Sequence, residues 1–455
     1  MNIAKLHELF LSCGSVITDS RKVKGGEMFF AIKGENFDGN EYALKALENG
    51  ASYAVVSAGS VAVSRVASSL PEETAKKIIT VADTLGTLQE LAAFHRENIF
   101  ADRKRVKVIG LTGTNGKTTT KELIRTVLSI EYNVVATEGN FNNDIGVPLS
   151  LLRITPETEI AVIEMGASHP DDIKFLTGIV HPDLGLITNV GKAHLMGFGD
   201  LEGVKRAKGQ LYDYIYSSGG SVFVNSDNNI LMGMVAGRPG LNTIPYGLAY
   251  SGVSVLPSSA EHPFLSMEIP QDNGNIRLDT HLVGTYNADN VLAALKVGSY
   301  FGIGTGEAAK AISEYIPSNN RSQLIKTGSN SLIVDAYNAN PTSMSAALDN
   351  FVNVQASCKI AMLGDMLELG SDSVPEHMKI LKKVLGIGLS SVFLVGEEFH
   401  KAMDYLDPKD KTAGPVWFGS SSELSKYLKS NRLEGCTILI KGSRGIAMEK
   451  IIPEL

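Results

Sequence analysis

Short apolar, β-favouring runs that end in Gly, Asn or Asp alternate along this chain with segments whose apolar positions recur at helical spacing. The first kind reads as buried strands and the second as amphipathic helices. Up to residue 100 the pattern predicts helices over 3–11 and 42–48 and strands over 28–32 and 52–56. A long helix follows, with Asp83 as its N-cap and Leu85, Leu88, Ala92 and Ile99 on one face. The charged stretch 101–105 reads as a linker. From Val106 onward strand and helix alternate, as in a mostly parallel sheet. Strands are expected from 106, over 133–136, 160–165 and 184–189, with helices over 121–129 and 202–216. The alternation breaks over 241–283, which is strand-like with Pro and Gly turns and predicts an antiparallel appendage. A helix resumes at Asn287. Beyond 317 a second doubly wound sheet is expected, with strands over 332–335, 359–363, 391–395 and 437–441 and helices over 342–351, 378–384 and 421–428. The chain therefore divides into three α/β domains, residues 1–103, 104–317 and 318–455.

The first strand of the middle domain opens into Gly113-Thr-Asn-Gly-Lys-Thr-Thr119 and then a helix. Strand, Gly-broken loop and helix, in that order, are the context of a phosphate-binding loop. Gly113 and Gly116 allow close approach of the backbone to phosphate oxygens. Thr114 and Asn115 add backbone N–H groups, and the helix N-terminus adds partial positive charge. Lys117 supplies a full charge, and the Thr118 hydroxyl, beside Thr119, stands where Mg²⁺ would sit. The spacing is shorter than the general pattern, because Leu111 occupies the place of the first Gly.

Composition narrows the class. A 44% apolar, 20% charged chain of 455 residues is long enough for several cores, and its net charge of −7 argues against nucleic-acid or anionic-membrane partners. No apolar run approaches a membrane span, and the start of the chain lacks a signal-peptide core. Cys13, Cys358 and Cys436 lie far apart, which fits reduced, buried thiols in the cytoplasm. Anionic ligands must then be held by local cations.

Candidate ligands gather at the ends of predicted strands, where open α/β sheets bind them. Glu164 closes the strand over 160–165, in the position of a metal carboxylate; a buried structural Glu is the alternative. His194 lies just beyond the strand over 184–189. Asn287 and Asn290 share a helix face and suit either a nucleobase edge or helix capping. Ser20, Arg21, Lys33 and Asp38 sit in polar loops beside the first strands. They suit an anionic or ribosyl group, or are solvated turn residues. Lys208, beside Lys205 and Arg206, reads by composition as a solvated basic face. The polar loops 335–341, 364–370 and 441–444 should crowd one edge of the third sheet and face the middle domain.

Residues 112–119, 140–148, Glu164-Met-Gly166, Asn189-Val-Gly-Lys-Ala-His194 and Ala207-Lys208, in this order and spacing, resemble the Mur ligases of peptidoglycan synthesis. The short phosphate loop is that family's variant. The loops 335–341 and 364–370, with Asp19-Ser-Arg21 and residues 29–38, are similar to the branch that adds a dipeptide. The Asp-Asn-Pro-Arg signature of the branch adding the third amino acid is missing. Tyr286 stands where relatives often carry His. The resemblance implies a P-loop central parallel sheet, a Rossmann-like C-terminal domain and an ATP-dependent amide ligase that joins D-alanyl-D-alanine to UDP-N-acetylmuramoyl-tripeptide through an acyl phosphate. It implies ATP contacts at 113–119, Asn287, Arg321 and Asp335. It also implies two Mg²⁺ ions held by Thr118, Glu164, His194 and a carbamylated Lys208. Lys117, His194 and Lys208 would be catalytic; Ser20, Arg21, Lys33, Asp38, Asn142 and Asn143 would be substrate contacts. A cytoplasmic monomer is expected.

Two other classes share these features. A small-molecule kinase needs the same loop and metal but yields a stable phosphorylated product without an amine. A nucleotide-gated binding protein has no need of Lys117, Glu164, His194 and Lys208 together. Within the ligases, the third-residue-adding enzyme and a folylpolyglutamate-synthase-like protein are the nearest rivals.

Overall fold

The computed structural model describes residues 2–34, 37–60, 71–101, 104–257, 263–272, 274–318, 320–406 and 414–455. The chain packs as two compact units, each built from separate segments. The first is Met1–Leu111, Tyr132–Gly166 and Ile173–Gly185; the second is Thr112–Glu131, Ala167–Asp172 and Leu186–Leu455.

The first unit begins with the helix Ile3–Cys13, which Asn2 caps through Lys5 N–H (2.9 Å) and Gly14 ends at φ 74°. A four-stranded parallel sheet follows in chain order, with β1 Val16–Ile17, β2 Met28–Phe30, β3 Tyr53–Ser57 and β4 Ile78–Val81. One core of this unit clusters Phe29, Ala43, Ala46, Ala54 and Val56. Asp83 accepts hydrogen bonds from Leu85 and Gly86 N–H and starts the helix Thr84–Asn98, as its sequence predicts. The last turn of that helix explains why this unit continues past residue 100. Arg96, fully buried, donates to Val180 and His181 carbonyls and pairs with Asp183 at 2.8 Å. The same carboxylate accepts Val108 N–H at 2.8 Å. Residues expected as a linker instead form an antiparallel ribbon, β5 Phe100–Ala101 with β6 Lys104–Arg105. Beyond it β7 Lys107–Thr112, β8 Val134–Ala136 and β9 Ile160–Glu164 pair in parallel, with Leu111 opposite Glu164.

These strands belong to a six-stranded sheet completed by β10 Leu184–Ile187, β11 Ser221–Asn225 and β12 Asn242–Tyr246, in the order β12-β11-β10-β7-β9-β8. The antiparallel appendage starts later than its pattern predicts. Residues 242–246 pair in parallel with β11. Only β13 Ser254–Leu256, β14 Phe264–Ile269 and β15 Ile276–Val283 form the antiparallel sheet. A strand with one Pro at a sheet edge is compatible with either pairing, so local pattern could not decide.

The last sheet has β16 Gln323–Lys326 antiparallel to β17 Ser331–Asp335, then β21 Thr437–Lys441, β18 Lys359–Gly364, β19 Ser391–Val395 and β20 Val416–Phe418 in parallel. Leu332, Val334, Ile360, Met362, Ile438 and Ile440 pack its core against Leu424, Leu428, Met448 and Ile451. One expectation is corrected here. Cys358 and Cys436, 78 residues apart, are joined by a disulfide, and Cys13 alone is free. Lys359 and Thr437 are partners in the β18–β21 ladder, so the cysteines preceding them are brought side by side. Among the described residues no helix is long and apolar enough to cross a membrane.

Candidate active site

The phosphate loop leaves β7 and enters the helix Lys117–Leu128. Gly113 (φ 147°) and Gly116 (φ 77°) hold backbone angles that side chains rarely adopt. A Cβ at Gly113 would collide with Thr188, and one at Gly116 would lie 2.5 Å from Asn290 Oδ1. The end of β10 clamps the loop from the side. Thr114 N–H donates to Asn189 O and Asn115 N–H to Asn189 Oδ1, both at 2.9 Å. Thr188 Oγ1 and Asn189 Nδ2 donate to Asn115 O at 2.6 and 3.0 Å. The Lys117 ammonium lies over the loop, donating to Gly113 O (2.8 Å) and Thr114 O (3.1 Å). Thr118 and Thr119 are both buried.

Glu164 ends β9 and is 1% exposed. Its carboxylate accepts Asn142 Nδ2 at 2.8 Å, while its backbone N–H donates to Thr137 Oγ1. Asn142 thus supports this carboxylate. Asn143 accepts the N–H of Gly146, the first residue of the helix Gly146–Leu151, at 2.9 Å. Both side chains proposed for substrate have partners inside the protein.

His194 (φ 50°) starts the short helix Leu195–Phe198, and its Nδ1 pairs with the Glu368 carboxylate, a contact the sequence did not suggest. The His194 imidazole beside it holds the Glu368 carboxyl below the usual range. Lys208 is 2% exposed, so its reading as a solvated face fails; Lys205 is the member of that basic run that pairs outward, with Glu202. The Lys208 ammonium lies 5.9 Å from the Phe198 ring centroid. Burial pushes the Lys208 pKa well below that of an ordinary lysine. Repulsion from Lys117 lowers it further, against some opposition from Asp172.

Asn287 is corrected. It is 1% exposed, and its amide is used internally. Nδ2 donates to Val283 O (2.9 Å) and Ser322 Oγ (3.1 Å), and Oδ1 accepts Asn290 Nδ2 (2.9 Å). Asn290 Oδ1 in turn accepts Thr120 Oγ1 at 3.0 Å. The pair forms a hydrogen-bonded chain from the phosphate-loop helix to Ser322; Asn287 stands at the N-cap of the helix Ala288–Tyr300 without capping it through its side chain, and leaves no open amide edge. Arg321 lies 3.7 Å from the Tyr337 ring centroid, with Arg444 5.5 Å from the same ring. Among the described residues Arg321 Nε is buried with no hydrogen-bond partner. Asp335 accepts Lys441 Nζ at 2.5 Å and Ser322 N–H at 3.3 Å.

The three strand-end loops of the last sheet interlock as expected. Lys441 Nζ reaches Asn338 O (3.3 Å), Ser443 Oγ donates to Ala339 O (3.2 Å), and Leu367 N–H donates to Ser443 Oγ (2.9 Å). This edge meets the phosphate loop. Asn340 Nδ2 donates to Asn115 Oδ1 at 2.7 Å, and Lys192 pairs with Glu376 at 2.8 Å. Asn189, Tyr337, Asn340 and Glu368 complete the site. Tyr337, Asn340 and Glu368 lay within polar loops the sequence marked and Asn189 closed a predicted strand, but their partners could not be read there.

Ser20, Arg21, Lys33 and Asp38 follow β1 and β2 in the first unit. Ser20 is buried. Arg21, largely exposed, pairs with Asp19 at 2.9 Å. Lys33 and Asp38 face each other across an isolated bridge, and Asp38 accepts Asn40 N–H and Nδ2.

The sequence matches three family descriptions in series: the Mur ligase catalytic domain over residues 14–96, the Mur ligase middle domain over 111–298, and the Mur ligase glutamate ligase domain over 320–444. It is 34% identical to the UDP-N-acetylmuramoyl-tripeptide–D-alanyl-D-alanine ligase of Bacillus subtilis (strain 168), over 97% of this chain and 92% of that one. Against the enzyme of the same name from Escherichia coli (strain K12) the identity is 33%, over 98% and 94%. The fold superposes on a crystal structure of MurF from Acinetobacter baumannii with a TM-score of 0.83 and 27% identity, covering 100% of this chain and 98% of that one. The chain belongs to the Mur ligase family, on the branch of the UDP-N-acetylmuramoyl-tripeptide–D-alanyl-D-alanine ligases.

Proposed function

We propose that this protein joins D-alanyl-D-alanine to UDP-N-acetylmuramoyl-tripeptide at the expense of ATP, in the cytoplasm. The observation that carries the reading is the clamped short phosphate loop in a chain that matches enzymes of that name along nearly its whole length. A carboxylate is inert to amines at neutral pH. Its oxygen therefore attacks the γ-phosphorus of ATP, the bond to the bridging β,γ-oxygen breaks, and ADP leaves. The dipeptide amine then attacks the acyl carbon, loses a proton, and inorganic phosphate departs. Catalysis is mainly positioning and charge neutralisation. Lys117, once it turns from the Gly113 and Thr114 carbonyls to phosphate, supplies the charge. Arg321 and Tyr337 offer a stacking face for the nucleotide, with Asp335 beside them. Asn287 positions that corner through Ser322 and Asn290.

Among the described residues no three His, Cys, Asp or Glu side chains group closely enough to cage a metal. That fits Mg²⁺, which takes one or two carboxylates together with substrate phosphates. Thr118 and Glu164 would hold one ion and His194 with Lys208 the other; bound there, Mg²⁺ would neutralise phosphate and acyl-phosphate oxygens. The buried, easily neutralised Lys208 amine can add CO₂, which turns a repelled cation into an anion suited to that ion. We assign residues 1–103 to the UDP end of the substrate, with Ser20, Arg21, Lys33 and Asp38 at the strand ends. Residues 104–317 hold ATP, and 318–455 hold the dipeptide.

The test is ADP release with UDP-N-acetylmuramoyl-tripeptide, with and without D-alanyl-D-alanine. Release is expected to require both, and the product should gain the dipeptide's mass less water. A stable phosphorylated product formed without amine would make the protein a kinase.

A further inference from the structure

We propose that Glu368 is a positioning residue for His194, so that the C-terminal domain completes the site for the second divalent cation. The inference rests on the reading of His194 as a metal ligand and extends it to a residue from another domain. Four observations support it. The Glu368 carboxylate pairs with His194 Nδ1, which leaves Nε2 as the ring's remaining donor atom. A carboxylate on one ring nitrogen fixes tautomer and orientation and raises the basicity of the other, the arrangement found behind metal-binding imidazoles. Both residues are held in left-handed backbone, φ 50° at His194 and 65° at Glu368, which non-glycine residues adopt at a cost. The two segments are also docked by backbone, Met196 N–H donating to Glu368 O at 3.2 Å. Finally, the loop carrying Glu368 is rigid at its root. Buried His377 accepts Met366 N–H through Nε2 (3.0 Å) and donates from Nδ1 to Ser373 O (2.8 Å). A surface ion pair of no consequence would need none of this support.

The consequence is a coupling: the second cation should bind tightly only when the C-terminal loop is docked on His194. Mn²⁺ titration of the full chain, followed by electron paramagnetic resonance with a non-hydrolysable ATP analogue present, reads this without turnover. Two Mn²⁺ sites are expected in the wild type. Glu368→Ala should weaken the looser one by ~10-fold or more, the scale for losing such a partner. The tighter site should stay unchanged. Glu368→Gln, which keeps an acceptor for Nδ1–H but no charge, should fall between. Lys192→Ala breaks the neighbouring interdomain pair with Glu376 and serves as the control for docking alone; it should leave both sites intact. His194→Ala separates the two readings. If it removes the looser site while Glu368→Ala does not weaken it, the positioning role is wrong and the metal assignment stands. If His194→Ala leaves both sites, the metal assignment fails and the inference with it. Equal losses in Lys192→Ala and Glu368→Ala would reduce Glu368 to an interdomain contact.

Discussion

Lys208 shows how one side chain can change meaning between sequence and structure. In the sequence it stands in a basic run on a helix, where solvation is the ordinary outcome. In the structure it lies inside the protein beside a phenylalanine ring, with Lys117 close enough to disfavour its charge. Burial favours the neutral amine, which is a nucleophile, and CO₂ is the electrophile that would make it an anion. Lys208→Ala should therefore lower turnover by at least ~10²-fold, as expected for a lost preorganised electrostatic group. Formate or acetate should restore part of the rate, and the same salts should do nothing for Lys205→Ala. Carbon-13 NMR of the wild type under labelled CO₂ should show a protein-bound carbamate signal. Near wild-type turnover of Lys208→Ala in CO₂-depleted buffer would return this residue to a packing role.

At the scale of elements, the helix Thr84–Asn98 ties the first unit together through a histidine pair. His95 Nε2–H donates to Ile154 O at 2.8 Å, so its Nδ1 must accept from His7 Nε2–H at 2.9 Å. Both rings are buried, Phe10 and Phe94 pack on His7 or His95, and His95 cannot take a proton on Nδ1 without setting its N–H against that of His7. Burial, the larger cause, and repulsion from His7 bring His95 down to about 4, and burial lowers His7. A depressed histidine stabilises the fold fully above its unfolded pKa. Between ~6.5 and ~4 the unfolded chain binds the proton and the folded chain does not, so stability falls with pH through that window. The loss from His95 alone is on the order of 3 kcal/mol. Urea midpoints should drop between pH 7 and pH 4.5, and His95→Gln should flatten that drop while lowering the pH 7 value. An unchanged slope in the variant would place the pH dependence elsewhere.

The same element marks where sequence reasoning held and where it stopped. Asp83 and the apolar face behind it identify the helix, because cap and periodicity are local. The phosphate loop was legible for the same reason, since strand, Gly-broken turn and helix are contiguous. Arg96 with Asp183, Asn142 with Glu164, and Cys358 with Cys436 were not. Each joins distant segments, and only strand order decides which ends meet. Amide-rich spots were misread in one direction. Asn287 and Asn290 have the chemistry of a base reader, but burial turned both inward. Sequence alone does not say which polar residues a fold will hide.

At the scale of the whole molecule, the function needs the C-terminal domain to meet the phosphate loop, and Asn340 is the residue where both demands are visible. Its side chain closes a capping box on the helix Pro341–Val352, accepting Ser343 N–H at 2.9 Å, while its Nδ2 reaches Asn115 Oδ1 at 2.7 Å. Alanine would confound the two roles, since a lost cap alone costs ~1 kcal/mol. Asn340→Asp separates them. Aspartate caps a helix as well as asparagine does, so the melting temperature should change by only a degree or two, given ~1 kcal/mol per several degrees. It cannot donate to Asn115, however, and it brings a negative charge to the loop that must hold a triphosphate. One hydrogen bond is worth ~1 kcal/mol, and like-charge repulsion adds to it, so the KM for ATP should rise by ~5-fold or more. The effect should shrink as salt is raised, because part of it is screened. Asn115→Ala removes the same contact from the other side without adding charge, and should raise KM less and without salt dependence. If Asn340→Asp binds ATP as the wild type does, the amide pair is a passive contact, and the phosphate loop does not sense the docking of the C-terminal domain.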